Sequence, residues 1–178
     1  MLRLFVGIDL PPEQKLQLST ICHGYPGIKW VDPGNYHVTI RFIGEVDEGT
    51  AADIDEALAA IRLPRFELAI AGTGLFGAEN KPRVIFAGLD KSPPLSQLHD
   101  KVETALMRLR LPPDGRRFTP HVTLGKTRQA TAPEIMRFIA AHNLLRLPPF
   151  AVESFQLICS YPTKAGSIYE DAAEYPLR

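Results

Sequence analysis

Residues 37–40 read His-Val-Thr-Ile and residues 121–124 read His-Val-Thr-Leu, with the histidines 121 − 37 = 84 positions apart. A second pair of segments, "RLPRF" at 62–66 and "RLPPF" at 146–150, has the same spacing, 146 − 62 = 84. Either match alone is weak, but a shared offset is the signature of an internal repeat. A looser echo joins "RLFVGIDLPP" at 3–12 to "RVIFAGLDKSPP" at 83–94, shifted by about the same amount. A chain made of two copies of one unit is expected to fold as two similar lobes about an approximate two-fold axis. Residues 1–178 are accordingly expected to form a single bilobal domain, with repeats over approximately 1–80 and 81–178.

The length of 178 residues suits that plan: one compact domain, or two small lobes sharing an interface. Twenty Lys and Arg balance twenty Asp and Glu. A protein that coats DNA or RNA without regard to sequence neutralises many phosphates and is more basic than this. Recognition of one end or one phosphate needs only a local patch, so neutrality leaves RNA ends open as partners. Cys22 and Cys159 are the only cysteines and are expected as reduced thiols. The opening "MLRLFVGIDL" is interrupted too soon by Asp9 and Pro11 to be a signal peptide. No stretch approaches a membrane span. The expected location is the cytoplasm, the expected state a monomer, and no membrane partner is expected.

Along the chain, hydrophobic alternation predicts strands at 2–9, 28–31 and 36–44. Further strands are expected at 66–76 and 83–89, joined by a Gly/Asn/Lys/Pro turn, then at 121–127, 150–160 and 167–177. Residues 13–23 suit a helix, as do segments around Ile54–Ile61 and Ile135–Leu145, the last opened by Pro133. The clearest helix follows Ser92, its expected cap, with Pro93 at the first helical position. The fold class is α+β: two similar lobes with pseudo-two-fold symmetry, mainly antiparallel sheets lining a central cleft, and helices outside.

On a strand, side chains alternate faces, so His37, Thr39 and Arg41 are expected to point one way, and Tyr36, Val38, Ile40 and Phe42 the other. The second face is apolar and should be core. In the second copy His121 and Thr123 share the polar face. A two-fold axis between lobes would bring both polar faces to one groove, with two imidazoles and two hydroxyls around one substrate atom. Imidazole is the side chain best suited to proton transfer near neutral pH. With one ring as base and the other as acid, and threonine hydroxyls donating to oxygens held between them, the set fits in-line displacement at phosphorus. No metal or other cofactor is required. Each motif supplies one histidine and no second ligand at metal-site spacing. Arg41 follows Thr39 by two, where the second copy has Gly125. Its guanidinium is expected to grip the phosphate or a neighbouring ribose-phosphate; the alternative is a solvated arginine at a strand end. Residue types and spacing leave open which histidine is acid and which is base.

The paired motifs, with "RLFVGIDLP", "KWVDPGNYHVTIRFIGEV", "PRVIFAGL", "RRFTPHVTLGK" and "YPTKAGSIYE…YPL" around them, resemble the 2H phosphoesterases. More narrowly, they are similar to the RNA 2′,3′-cyclic phosphodiesterases, also called 2′-5′ RNA ligases. The resemblance implies a bilobal α+β fold and hydrolysis of a terminal 2′,3′-cyclic phosphate to a 2′-phosphomonoester without a metal. It also implies His37 as proton donor to the departing 3′ oxygen, His121 as proton acceptor from water, and Thr39 and Thr123 as phosphate ligands.

Two other readings stand beside it. Within enzymes, the chain would join 2′-5′ linked ends, or cleave 2′-5′ oligonucleotides or small cyclic nucleotides. Outside them, it would be a non-catalytic module that binds RNA ends. His23, His99 and His142 are expected on the surface, "GTGLFG" at 72–77 as a bending strand, and Phe76, Trp30 and Tyr161 as structural aromatics with some capacity to stack on a base.

Overall fold

The computed structural model describes residues 1–78, 81–127 and 130–178. In chain order they form β1 (Leu2–Asp9), α1 (Pro12–Ser19), β2 (Ile28–Trp30), β3 (His37–Val46), α2 (Glu48–Ala59), β4 (Phe66–Leu68), β5 (Ile70–Ala78), β6 (Lys81–Leu89) and α3 (Pro93–Arg108). There follow β7 (His121–Thr127), α4 (Ala132–Ala141), β8 (Phe150–Val152), β9 (Ser154–Thr163) and β10 (Gly166–Pro176). The turn expected between β5 and β6 includes residues 79–80, which lie outside the described residues.

Ser92 caps α3 by accepting the Leu95 N–H, and Pro93 takes the first helical position, as the sequence predicts. Thr131 and Glu134 close a reciprocal capping box that starts α4 at Ala132, one residue before Pro133. Two helices are shorter than their apolar spacing suggests. The hydroxyls of Ser19 and Thr20 donate to the carbonyls of Leu16 and Gln17, closing α1 early. After α4 ends at Ala141, residues 145–147 run beside β5, where the Gly72 N–H donates to Leu145 O and the Leu147 N–H to Ile70 O.

One antiparallel sheet runs in the order β10-β9-β1-β3-β7-β6-β5, with β2 added on β7, and β4 and β8 form a small second sheet. The long strands expected at 66–76 and 150–160 are each broken, at Ala69 and at Glu153. Those breaks are also 153 − 69 = 84 positions apart.

The pairings locate the two-fold axis. Val38 pairs with Val122, and 122 − 38 = 84. Phe66 pairs with Val152 and Leu68 with Phe150, so the 84-residue shift exchanges the two pairs. The axis therefore passes between β3 and β7 and again between β4 and β8. Strands β9-β1-β3 mirror β5-β6-β7 around it, and β10 is an extra edge strand. The looser echo aligns less regularly: Gly7 pairs with Thr39 as Phe86 pairs with Thr123, a shift of 86 − 7 = 79.

Helices cover one face of this sheet. Val6, Ile8, Val38, Ile40, Ile85, Val122 and Leu124 pack into one core with Leu58 of α2, Leu98 and Val102 of α3, and Ile135 and Phe138 of α4. Burying the apolar half of each strand leaves the alternate side chains on the other face. That face carries the histidines.

Candidate active site

Alternation holds through the first half of each motif: His37 and Thr39 are half-buried between the buried Val38 and Ile40, and His121 and Thr123 repeat the pattern. Because Val38 opposes Val122 in an antiparallel pair, one step either way sets His37 toward Thr123 and Thr39 toward His121. The structure thus brings both His-Thr pairs to one surface, on adjacent strands that straddle the pseudo-two-fold axis.

Each ring is held the same way. His37 Nδ1 lies 2.7 Å from Asn35 O, and His121 Nδ1 lies 2.7 Å from Thr119 O, the carbonyl two residues upstream in both cases. A carbonyl only accepts, so each Nδ1 carries the proton, which leaves Nε2 as the atom that takes or gives one. His37 Nε2 sits 2.8 Å from Thr39 Oγ1. The hydroxyl donates to the neutral ring and accepts from the protonated one.

Aromatic rings wall both imidazoles. Phe5 and Tyr169 stand 4.8 and 5.2 Å from His37, centroid to centroid. Phe76 and Phe86 stand 4.7 and 5.3 Å from His121. The lobes solve the packing by opposite means. Beside His37 the small residue is Gly7 on β1, where a Cβ would lie 3.1 Å from Val38 O and 3.4 Å from an Ile158 methyl. Beside His121 the small residue is Gly74 on β5, where a Cβ would come within 2.5 Å of the Phe86 ring.

Burial pushes the His37 imidazole below its ordinary value; the Asn35 carbonyl and the Asp9 carboxylate oppose the shift, while the His121 and Lys15 charges add to it. Burial also lowers His121, against the Thr119 carbonyl. Asp9 is the cross-strand partner of His37, and its carboxylate is held 2.8 Å from Lys15 Nζ. The residue opposite His121 is Gly88, so the second lobe has no carboxylate at that position.

Both rings therefore rest neutral near pH 7, and an acid–base pair built on them has a shifted optimum. The base fails once protonated, and the acid fails once deprotonated. With both groups below the ordinary histidine value of about 6.5, the bell-shaped pH profile of kcat/KM should centre on the acid side of that value. A profile measured on wild-type protein that peaks well above neutrality contradicts this.

Arg41 requires a correction. It does not share the face of His37 and Thr39. Val6 pairs with Arg41 and Gly7 with Thr39, so Ile40 is an extra residue, and this β-bulge reverses the alternation. The guanidinium is only 6% exposed. Its Nε lies 2.5 Å from Glu103 Oε1 of α3, Nη1 donates to Phe42 O, and Nη2 to Pro112 O. Prolines 112 and 113 lack the N–H of a strand residue, and the arginine supplies part of the missing link to β3. It is neither the expected phosphate clamp nor a solvated strand-end residue. Phe42, expected in the core, turns outward instead and is 45% exposed.

Of the remaining candidates, Phe76 packs on His121, whereas Trp30 packs on Phe138. His99, expected on the surface, stacks on Phe118 at 4.1 Å with its ring nearly parallel. Cys22 and Cys159 are both free thiols. Among the described residues no group of three or more His, Cys, Asp or Glu side chains is placed to hold a metal ion. No described helix is long and apolar enough to cross a membrane.

This fold has known counterparts. The model of the LigT-like phosphoesterase family matches residues 8–86 and 88–169. An RNA 2′,3′-cyclic phosphodiesterase of Aeropyrum pernix is 34% identical over 158 residues, covering 88% of this chain and 90% of the relative. One from Archaeoglobus fulgidus is 30% identical over 173 residues, covering 96% and 97%. A crystal structure from Thermus thermophilus superposes with a TM-score of 0.84 at 26% identity, covering 99% of this chain and 98% of the other. The E. coli LigT complex with 3′-AMP superposes at 0.80 and 26% identity, with the same coverage.

Proposed function

Since the chain belongs to the LigT-like phosphoesterase family, we propose that it hydrolyses the 2′,3′-cyclic phosphate at an RNA end to a 2′-phosphomonoester, using His37 and His121 as its acid–base pair and no metal. The observation that carries this reading is the paired Nε2 arrangement. Two imidazoles flank one sheet axis, each with its Nδ1–H committed to a backbone carbonyl. Relatives named for this activity and a family structure holding 3′-AMP support the choice of substrate.

In the proposed reaction, water attacks phosphorus as His121 Nε2 takes its proton. A P–O bond forms to the water oxygen and the P–O3′ bond breaks. His37, protonated at Nε2, gives its proton to the departing 3′ oxygen. Thr39 and Thr123 donate to the non-bridging oxygens, where negative charge concentrates in the transition state. Substrate must first displace the Thr39–His37 hydrogen bond, which frees both groups at once. The bound phosphate anion raises the pKa of the imidazole that has to stay protonated. We read residues 1–178 as one bilobal domain of two repeats, working as a cytoplasmic monomer on RNA ends.

The test is direct. Purified protein incubated with short RNAs ending in 2′,3′-cyclic phosphate should yield 2′-phosphate ends at an undiminished rate in EDTA. Formation of 3′-phosphate ends, or inactivation by EDTA with rescue by a divalent ion, overturns the assignment.

A further inference from the structure

Each imidazole of the pair depends on one carbonyl, and both carbonyls sit in the connections just before the motif strands. Asn35 O precedes β3 and Thr119 O precedes β7. A free neutral imidazole takes either tautomer, and only the Nδ1–H form leaves Nε2 bare to accept a proton. Whatever holds the two carbonyls in place therefore bears on proton transfer.

A helix side chain reaches the residue before each carbonyl. From α1, Lys15 Nζ donates to Gly34 O at 3.0 Å while it meets the Asp9 carboxylate at 2.8 Å. From α3, the His99 ring stacks on Phe118, with centroids 4.1 Å apart and planes 4° from parallel. The repeat relates the two contacts, since 99 − 15 = 84 and 118 − 34 = 84. The helices agree in burial at that offset: Gln14 and Leu98 are both buried, as are Leu18 and Val102. Lys15 and His99 each keep 19% of the side chain exposed. The chemistry differs between lobes while the position does not. Two unlike side chains that grip the same point of the same loop share a task, not a composition.

We propose that Lys15 and His99 are positioning residues, each bracing the loop whose carbonyl fixes the imidazole of its own lobe. The inference rests on the reading of His37 and His121 as an acid–base pair. Neither brace takes part in the chemistry; each acts through the next residue along the chain. The first lobe has a second tie, because Asn35 Nδ2 donates to Ser167 O of β10 at 2.7 Å. Loss of Lys15 should therefore matter less than loss of His99.

Both braces also carry or meet charge. Lys15 helps to lower the His37 pKa, and His99 lies 3.5 Å from Asp100 Oδ1 and 3.8 Å from Glu103 Oε1. The experiment separates position from charge by recording nitrogen-15 spectra of the histidine rings at a pH where they are neutral, since a distant charge moves a pKa but a lost carbonyl frees the tautomer. In wild type both rings should show the Nδ1–H form. Lys15→Ala should mix the tautomers of His37 alone, and His99→Ala those of His121 alone. On a cyclic-phosphate RNA end, His99→Ala should lower kcat about tenfold and leave KM nearly unchanged, the signature of a misplaced group rather than a lost ligand. His99→Phe keeps the stack without the charge contacts and should restore both the ring signal and kcat; Lys15→Arg should restore the His37 signal. Ring signals that stay at the wild-type form in an alanine variant overturn the brace in that lobe, and a variant that disturbs both rings equally overturns the pairing of brace and ring. A wild type that opens no cyclic phosphate refutes the proposed function instead, while the ring spectra still decide the braces.

Discussion

His37→Ala and His121→Ala should each lower kcat on a cyclic-phosphate RNA end by about 10²- to 10⁴-fold, the usual contribution of a positioned general acid or base. Affinity for the product end should change little, because the threonine hydroxyls remain. The double variant should be scarcely worse than either single one, since an acid and a base that move their protons in one transition state act as a unit. Single-turnover rates and product binding measured on all three variants check this. A non-catalytic RNA-end-binding module has no turnover to lose, so this comparison also separates the two main readings of the sequence. Additive losses in the double variant would mean that the rings work independently.

The second large effect falls on stability. Arg41→Met removes the cation that meets Glu103 and two carbonyls in a nearly closed environment. A carboxylate stranded by the loss of a buried partner costs about 3 kcal/mol. For a chain of this size that is a fall of roughly 6–12 °C in melting temperature. Assayed well below the transition, kcat and KM should stay at wild-type values, because the guanidinium points away from the histidine face. A variant that melts normally but loses affinity for phosphate ends would restore the role that the sequence suggests for Arg41.

The contrast between His37 and Arg41 shows how far the primary structure could be read. Alternation placed His37 with Thr39 and His121 with Thr123 on the polar face of each strand, and the 84-residue offset related the two strands by an approximate two-fold axis. The same alternation failed two residues later because a bulge adds a residue without changing composition. A signal was present in the second copy, where Gly125 interrupts "HVTLGK" in mid-strand. An isolated glycine inside a strand pattern often marks a bulge, and the repeat would have carried that reading back to Arg41. Other parts of the site left no mark on residue types. Any amino acid at positions 35 and 119 supplies the carbonyl that fixes each ring, so Asn35 and Thr119 do not stand out. Phe5, Phe86 and Tyr169 resemble ordinary strand aromatics until the sheet order sets them against the imidazoles. His99 was misread because its partner Phe118 sits in a segment without periodicity.

The repeat also explains what a single polypeptide offers over a self-associating half. In a homodimer of one unit, two imidazoles at the symmetry axis would be chemically indistinguishable, and neither would be marked in advance to give up a proton. Joining the copies end to end lifts that degeneracy. Asp9 stands opposite one imidazole and Gly88 opposite the other, so the two rings titrate in different fields. Replacing Asp9 with Asn should therefore weaken the preference for which ring is charged.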